Sequence, residues 1–179
     1  EGVRQVPHAT VVTAMEGNGV EFGIKLAGLG NRWFNAPAPV LRGEVIASDL
    51  AGDSVLPWCG DSCMLEAAWL GGFAAAAAPA VLRALGQSFA EGVEQTREMA
   101  RIALGEHPYY RVPALDYAGT PTGIDMRKVL REGVEPVIHG GMMSRGGKRL
   151  GAGSTRVPMQ CFEKAALAFA AQYGKERRL

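Results

Sequence analysis

The chain has 179 residues, the size of one domain or two small lobes, and 47% of them are hydrophobic, so it should fold around a core rather than stay disordered. Its formal net charge of +1 excludes the broad basic surface of a nucleic-acid-binding protein and an acidic tail. Any recognition of an anion must therefore be local.

Cysteine content and hydropathy indicate a cytoplasmic protein without a membrane anchor. Cys59, Cys63 and Cys161 are an odd number and predict free thiols in a reducing compartment. No further zinc ligands follow them closely, so no metal is predicted. The longest uncharged run, residues 67–82, is shorter than the roughly 20 residues of a spanning helix. The start at Glu1 without a methionine predicts a fragment, a processed product or a split subunit.

Residues 1–60 form the β-rich part of the predicted fold. Two apolar runs flank the glycine-containing turn at residues 17–19, a pattern that predicts a β-hairpin. The third run, residues 33–40, contains Pro37 and Pro39 and is predicted as an edge strand or an extended loop.

Residues 61–107 are predicted to be a helical insertion. Asp61 or Ser62 can cap a helix through the alanine-rich segment, with a kink or break at Pro79. Ser88 and Glu91 form a capping box that opens a second helix. The apolar residues at helical spacing on this helix are Phe89, Val93, Ala100, Ala103 and Leu104.

Residues 108–179 form the remainder of the predicted α+β domain. The stretch GTPTGID is predicted as a tight polar turn into a short helix at residues 126–132, followed by a strand at residues 135–142. Residues 144–158 are predicted as a mobile glycine-rich and basic loop, and a last helix begins near Pro158. Strands, then helices, then mixed elements without βαβ alternation predict an α+β fold.

Common cofactor and hydrolase motifs are missing from the sequence. No dinucleotide fingerprint, P-loop or G-x-S-x-G elbow is present. No nucleotide cofactor and no serine hydrolase are therefore predicted.

Two stretches have the chemistry of a small-anion site. Asp125 is predicted to cap the short helix. Arg127 and Lys128 then fall in its first turn, where cations oppose the helix dipole, so a bound carboxylate or phosphate could compensate them. Alternatively, Asp125, Asp116 or a surface carboxylate already pairs with these cations. In GAGSTRVP, glycines permit close backbone approach and Arg156 supplies charge. A flexible surface loop is the alternative interpretation of that segment.

Four blocks in the same order resemble the C-terminal part of AllG/YlbE-type proteins. They are NGVEFGIKLAGLGNRWFNAPAPV, GDSCMLEAAWLGGFAAAAAPAV, TREMARIALGEHPYYRVPALDYAGTPTGIDMRKVL and GAGSTRVPMQCFEKAALA. The resemblance implies a complex α+β domain with a small helical insertion. It also implies a role beside FdrA-type and AllH-type subunits in the oxamate carbamoyltransferase complex of anaerobic allantoin breakdown, a pathway of purine and nitrogen metabolism.

Two segments of this sequence differ from the pattern of the family. The strand near residue 139 leads into His139-Gly140-Gly141 instead of an Asn-Thr-Gly type turn. Cys63 and its two successors stand where the family has small hydroxylated residues. The sequence therefore does not predict which residues contact the substrate at these two places. The substrate could be a different acid or amide from that of the family.

Carbamoyl transfer requires charge stabilisation and a nucleophile held close, and candidate residues follow from that need. The candidate anion-binding residues are Arg127, Arg156, Arg32, Gly151 and Gly153. Polar groups would be oriented by Thr120, Thr122 and Asn18. The candidate acids or bases are Asp125, Asp61, Glu21 and His139. The chain is thus predicted to be an enzyme component; a non-catalytic binding subunit and an acyl-CoA or acyl-phosphate enzyme are the alternatives.

Overall fold

A computed structural model describes residues 5–46 and 54–174, and nine strands and five α-helices lie within these ranges. The strands are β1 (Val12–Asn18), β2 (Glu21–Leu26), β3 (Phe34–Pro37), β4 (Arg42–Val45), β5 (Cys59–Gly60), β6 (Ala103–Val112), β7 (Ala118–Ile124), β8 (Val137–Met143) and β9 (Arg149–Arg156). The helices are α1 (Met64–Ala67), α2 (Pro79–Ala84), α3 (Phe89–Ile102), α4 (Met126–Glu132) and α5 (Met159–Tyr173). The strands pair antiparallel, and the predicted α+β class is confirmed.

The predicted N-terminal hairpin is confirmed. Strands β1 and β2 pair antiparallel, and Gly19 in their turn has a φ of 86°. The Asn18 side chain accepts hydrogen bonds from the backbone N–H groups of Val20 (2.9 Å) and Glu21 (2.8 Å), which replaces a backbone turn. The sheet order is β3-β2-β1-β5, so β3 is at the edge, where Pro37 is tolerated.

The second sheet has the order β4-β9-β8, and it corrects the prediction of a mobile loop at residues 144–158. Residues 149–156 are strand β9 and pair on both sides. A Cβ at Gly153 would lie 2.7 Å from the carbonyl oxygen of Arg42, and one at Gly151 would overlap that of Glu44. The close approach that these glycines permit is between strands, whereas the prediction assigned it to a ligand.

The helix predicted through the alanine-rich segment does break at Pro79, where α2 begins, but it is also broken before that point. Helix α1 is followed by a 3-10 segment at Gly71–Ala77 and then by α2. Trp69 (φ 68°) and Gly71 (φ 57°) adopt left-handed backbone that interrupts the helix. Capping by Asp61 or Ser62 is also wrong. The backbone carbonyls of Asp61 and Ser62, and not their side chains, accept from the N–H groups at the start of α1. Cys63 occupies the N-cap position without a side-chain hydrogen bond.

Helix α3 confirms the capping box but not the predicted apolar face. Ser88 Oγ accepts from the Glu91 N–H (3.2 Å), and Glu91 Oε2 accepts from the Ser88 N–H (2.7 Å). Phe89 is 49% exposed, and the helix ends at Ile102, so Ala103 and Leu104 belong to β6. The buried residues of the helix are instead Gly92, Thr96, Met99 and Ile102.

The stretch GTPTGID is mostly strand β7, paired with β6, and not the predicted turn. Asp125 ends the strand and caps α4, whose predicted bounds are confirmed.

Helix α5 also begins as predicted after Pro158 and packs Phe162 and Ala165 into the core beside β2 and β3. The division of the chain into a β-rich part, a helical insertion and a remainder, with boundaries at residues 60 and 107, remains a prediction.

Cys59, Cys63 and Cys161 are free thiols. None of the helices within residues 5–46 and 54–174 combines the length and hydropathy of a membrane span.

Candidate functional site

Three antiparallel strands align a row of polar side chains on one face of the second sheet. Arg42 on β4 lies directly opposite Ser154 on β9, and Ser154 lies directly opposite His139 on β8. Side chains of directly paired residues project from the same face. Arg156, two residues after Ser154, therefore projects from this face as well.

Arg42, Ser154 and Arg156 of this face line a cavity of about 530 Å³, the arginine cleft. Its lining residues are Val40, Arg42, Gln87, Gln95, Val137, Ser154, Thr155 and Arg156. Two guanidinium groups, the Ser154 hydroxyl and two carboxamides thus face one space, whereas the side chain of Thr155 projects from the opposite face of β9. Arginine binds carboxylate and phosphate oxygens through paired N–H groups, so the lining suits a small oxyanion.

The two arginines of the cleft differ in how they are compensated. Arg156 donates to the carbonyl oxygen of Glu135 (2.9 Å) and to Glu98 Oε2 (2.7 Å). Arg42 is exposed and has no carboxylate partner among residues 5–46 and 54–174. Within the described part of the chain, Arg42 is therefore the arginine of the cleft whose charge has no carboxylate partner.

A buried carboxyl group lies at the free edge of β8, the outer strand of the same sheet. Glu66 on α1 is 1% exposed, and its Oε1 accepts from the backbone N–H groups of Gly72 and His139, each at 2.9 Å. Burial raises the pKa of Glu66 from 4.5 to about 7, although both hydrogen bonds act in the opposite direction. Near neutral pH this carboxyl can exist in either protonation state.

The His139 imidazole is held by Gln95. Gln95 Nε2 donates to the carbonyl oxygen of Gly72 (2.8 Å) and lies 3.1 Å from His139 Nε2. Because the Gln95 amide nitrogen is a donor, His139 Nε2 must accept and the ring proton resides on Nδ1. Burial lowers the pKa of His139 to about 4, so the ring is neutral at physiological pH.

A second cavity, of about 410 Å³, lies on the other side of this contact and is called the alanine pocket. Its lining residues are Leu65, Glu66, Leu70, Gly71, Ala74, Ala75, Ala77, Ala78, Val81, Leu82 and His139. The Gln95–His139 contact joins the alanine pocket to the arginine cleft. A mostly apolar pocket with a few polar groups of perturbed pKa is a common form of ligand site.

The structure compensates Arg127 within the chain. Asp125 accepts from Thr10 Oγ1 (2.7 Å), from the Arg127 N–H (2.9 Å) and from Arg127 Nη2 (3.2 Å). Burial of Asp125 opposes its ionisation, but these hydrogen bonds outweigh it and hold its pKa below the usual value. This is the predicted alternative in which Asp125 pairs with the cation. Arg127 and Arg156 thus contact different carboxylates on different elements.

The remaining candidate residues are placed by other contacts. Asn18 and Glu21 line a small cavity of about 120 Å³ at the first hairpin, and the Arg32 guanidinium lies 5.4 Å from the centre of the Phe34 ring. Thr120 is buried on β7, and Thr122 Oγ1 donates to the Thr120 carbonyl oxygen (3.0 Å). Asp61 is exposed before α1. Two of the candidate side chains lie near Gln95: His139 contacts its amide group, and Arg156 lines the arginine cleft together with it.

The sequence predictions missed Arg42, Gln95 and Glu66. Glu66 had a readable signal, since it is the lone charged residue between positions 62 and 82. Arg42 and Gln95 carried no local signal, because their role depends on strand pairing and on the face of α3. Residues 5–46 and 54–174 contain no group of three or more His, Cys, Asp or Glu side chains that could hold a metal ion.

Comparison with known proteins relates the chain to one family. The family model described as oxamate carbamoyltransferase subunit AllG matches residues 1–62. The AllG subunit of Escherichia coli (strain K12) is 38% identical over 92% of this chain. The AllG-family resemblance is confirmed. The uncharacterized protein YahG of the same organism is 39% identical over 94% of the chain.

The relatives are considerably longer than this chain. The aligned part covers 36% of YahG and 40% of the AllG subunit. The crystal structure of a conserved protein of unknown function from Enterococcus faecalis V583 superimposes with a TM-score of 0.88 at 40% identity. It covers 94% of this chain, which corresponds to 41% of that protein.

Proposed function

We propose that the chain is part of a carbamoyltransferase subunit that uses carbamoyl phosphate and a small carboxylate or amide of the oxamate or oxalurate type. The observation that carries the proposal is the 38% identity to an oxamate carbamoyltransferase subunit over 92% of the chain. The arginine cleft supports it, because transfer between phosphate and an amide nitrogen requires a site for oxyanions.

The polar groups of the arginine cleft and the two polar groups of the adjoining alanine pocket, Glu66 and His139, each have a role in this reaction. Arg42 and Arg156 bind phosphate or carboxylate oxygens, and the Ser154 hydroxyl donates to the same anion. Glu66, with a pKa of about 7, accepts the proton that the attacking nitrogen releases. His139 donates from Nδ1 to the oxygen that becomes negative as the carbonyl is attacked.

The partners of the chain are also part of the proposal. By its relation to AllG, the chain works in the cytoplasm beside FdrA-type and AllH-type subunits, in allantoin degradation. In the longer relatives, the residues outside the aligned part are a further source of side chains for the complete site.

Alanine substitution in the arginine cleft tests the proposal. The complex would be assembled with this chain, and carbamoyl phosphate formed from oxalurate and phosphate would be measured. Arg42→Ala should lower kcat/KM by about 10²-fold or more, because one charged donor is lost from the oxyanion site. Arg111→Ala, an exposed arginine on β6, serves as the matched control. Full activity in both Arg42→Ala and Arg156→Ala would refute the assigned site.

A non-catalytic binding subunit is the second candidate, favoured by the ion pairs that already compensate Arg127 and Arg156. In that case Arg42→Ala leaves the rate per assembled complex unchanged. Size-exclusion chromatography of the same preparations separates a loss of assembly from a loss of catalysis.

A further inference from the structure

Two buried polar atoms beside the alanine pocket have no hydrogen-bond partner among the described residues. They are Oε2 of Glu66 and Nδ1 of His139, and both residues line the pocket. An unpaired buried polar atom costs about 1–3 kcal/mol. A ligand that bonds to both atoms would recover that free energy on binding.

The contacts around these atoms define one acceptor and one donor. The other carboxyl oxygen of Glu66 already accepts two backbone N–H groups, from Gly72 and His139, which leaves Oε2 as the acceptor. The contact with Gln95 makes His139 Nε2 an acceptor, so Nδ1–H is the donor. The Glu66 carboxyl also accepts from the backbone N–H of His139. The side chains of Glu66 and His139 are therefore neighbours at this position of β8.

We propose that the alanine pocket binds a small neutral primary amide with an aliphatic substituent. The amide oxygen accepts from His139 Nδ1–H, and the amide NH2 group donates to Glu66 Oε2. A primary amide carries this acceptor and donor on neighbouring atoms. A carboxylate has no proton to donate, and an ammonium group has no lone pair to accept one.

The rest of the pocket determines the remainder of the ligand. Apart from Glu66 and His139, the lining consists of leucine, valine, alanine and glycine residues, which favour an aliphatic chain. Glu66 is the sole ionisable lining residue besides His139, so a carboxylate in the ligand would be repelled by the ionised Glu66. The volume of about 410 Å³ lies within the usual range for small-molecule sites.

Entry of the amide requires a small movement of the pocket wall. Glu66 Oε2 and His139 Nδ1 are both buried, so side chains must shift for a ligand to touch them. Rotamer changes of this kind are common on binding. Leu65 and Leu70 are 51% and 39% exposed and lie at the surface end of the pocket, where such movement is least hindered.

Binding of two ligands of equal chain length to the 179-residue chain tests the selectivity. Pentanamide and pentanoate would be titrated at about pH 8.5, where Glu66 is ionised, and followed by NMR. Pentanamide should bind at least about tenfold more tightly than pentanoate, the effect of one hydrogen bond to a charged group. Equal binding of the two ligands, or no binding of pentanamide, would overturn the proposal.

The variant Glu66→Gln tests the contact itself. Its amide oxygen can keep the bonds to Gly72 and His139, while an NH2 donor replaces the acceptor Oε2. Pentanamide affinity should fall at least about tenfold, whereas Glu94→Gln, at an exposed position on α3, should bind like the unmodified chain. Unfolding curves verify that each variant is folded, and unchanged pentanamide affinity in folded Glu66→Gln contradicts the proposal.

A measurement without ligand tests the donor. The imidazole ¹⁵N shifts of His139 should show the proton on Nδ1, and a proton on Nε2 would overturn the assignment. This inference concerns binding alone and does not rest on carbamoyl transfer. A chain that binds pentanamide but fails the carbamoyltransferase assay retains the inference and loses the proposed function.

Discussion

Replacing Glu66 by glutamine should stabilise the protein near neutral pH and much less in acid. Folding raises the pKa of Glu66 from 4.5 to about 7, so the native state binds this proton more tightly than the unfolded state. The native protein therefore loses stability as pH rises from about 4.5 to about 7. Glutamine has no charge to desolvate, and it removes that loss.

The raised pKa sets the size of the effect. Each pKa unit is worth about 1.4 kcal/mol, so the ionised Glu66 costs about 3 kcal/mol at most. Urea unfolding would be measured at about pH 5.0 and about pH 7.5. The stability difference between Glu66→Gln and the unmodified chain should be about 2 kcal/mol larger at the higher pH.

The comparison isolates Glu66 from the other titrating group of the cluster. The lowered pKa of His139 makes stability fall as pH drops from 6.5 towards about 4, but this residue is present in both proteins. Its contribution largely cancels from the difference. Glu94→Gln, at an exposed position on α3, is the matched control. A stability difference in Glu66→Gln that does not change between the two pH values would refute the assignment of a buried, high-pKa carboxyl at this position.

Two further substitutions test the local structure around the site. Gly71→Ala places a Cβ against the Glu66 carboxyl at a φ of 57°, so it should cost about 1–3 kcal/mol of unfolding free energy, whereas Gly105→Ala, with open space around it, should cost much less. Ser88→Ala removes a capping box and should cost about 1 kcal/mol, while Ser62→Ala should be nearly neutral, and equal effects of the two serines would contradict the assigned caps. Chemical denaturation measures all four.

Local signals were readable wherever the contacts are close in sequence. The capping box of Ser88 and Glu91, the Asp125 cap and the hairpin turn at Asn18 each join residues two or three positions apart. Such contacts depend on backbone geometry that a short segment can adopt by itself. They also set the bounds of α4 and the start of α3.

Strand β9 shows where local reading fails. Its glycines have low strand propensity and predict a loop, yet β4 and β8 supply hydrogen-bond partners on both sides. A Cβ at Gly153 would crowd Arg42, so the glycines are what the sheet needs there. The partner strands are remote in sequence, and no local pattern reports them.

The face of α3 was decided in the same way. Phe89 has the hydrophobicity of a core residue but is half exposed, whereas Thr96 is fully buried and its hydroxyl oxygen accepts from the Ala76 N–H (3.0 Å). Periodicity predicts that one face is buried. Which face it is depends on the neighbouring elements, and that choice turns Gln95 toward His139.

The sequence by itself determined the α+β class, the caps of α3 and α4, the first hairpin and the family relationship, because short-range backbone preferences and ordered sequence blocks carry that information. Only the tertiary structure decided which charges remain available. It paired Arg127 with Asp125, aligned Arg42 and Ser154 with His139 across three strands, and buried Glu66. Pairing and burial join residues remote in sequence, and they alone set the electrostatics of the candidate site.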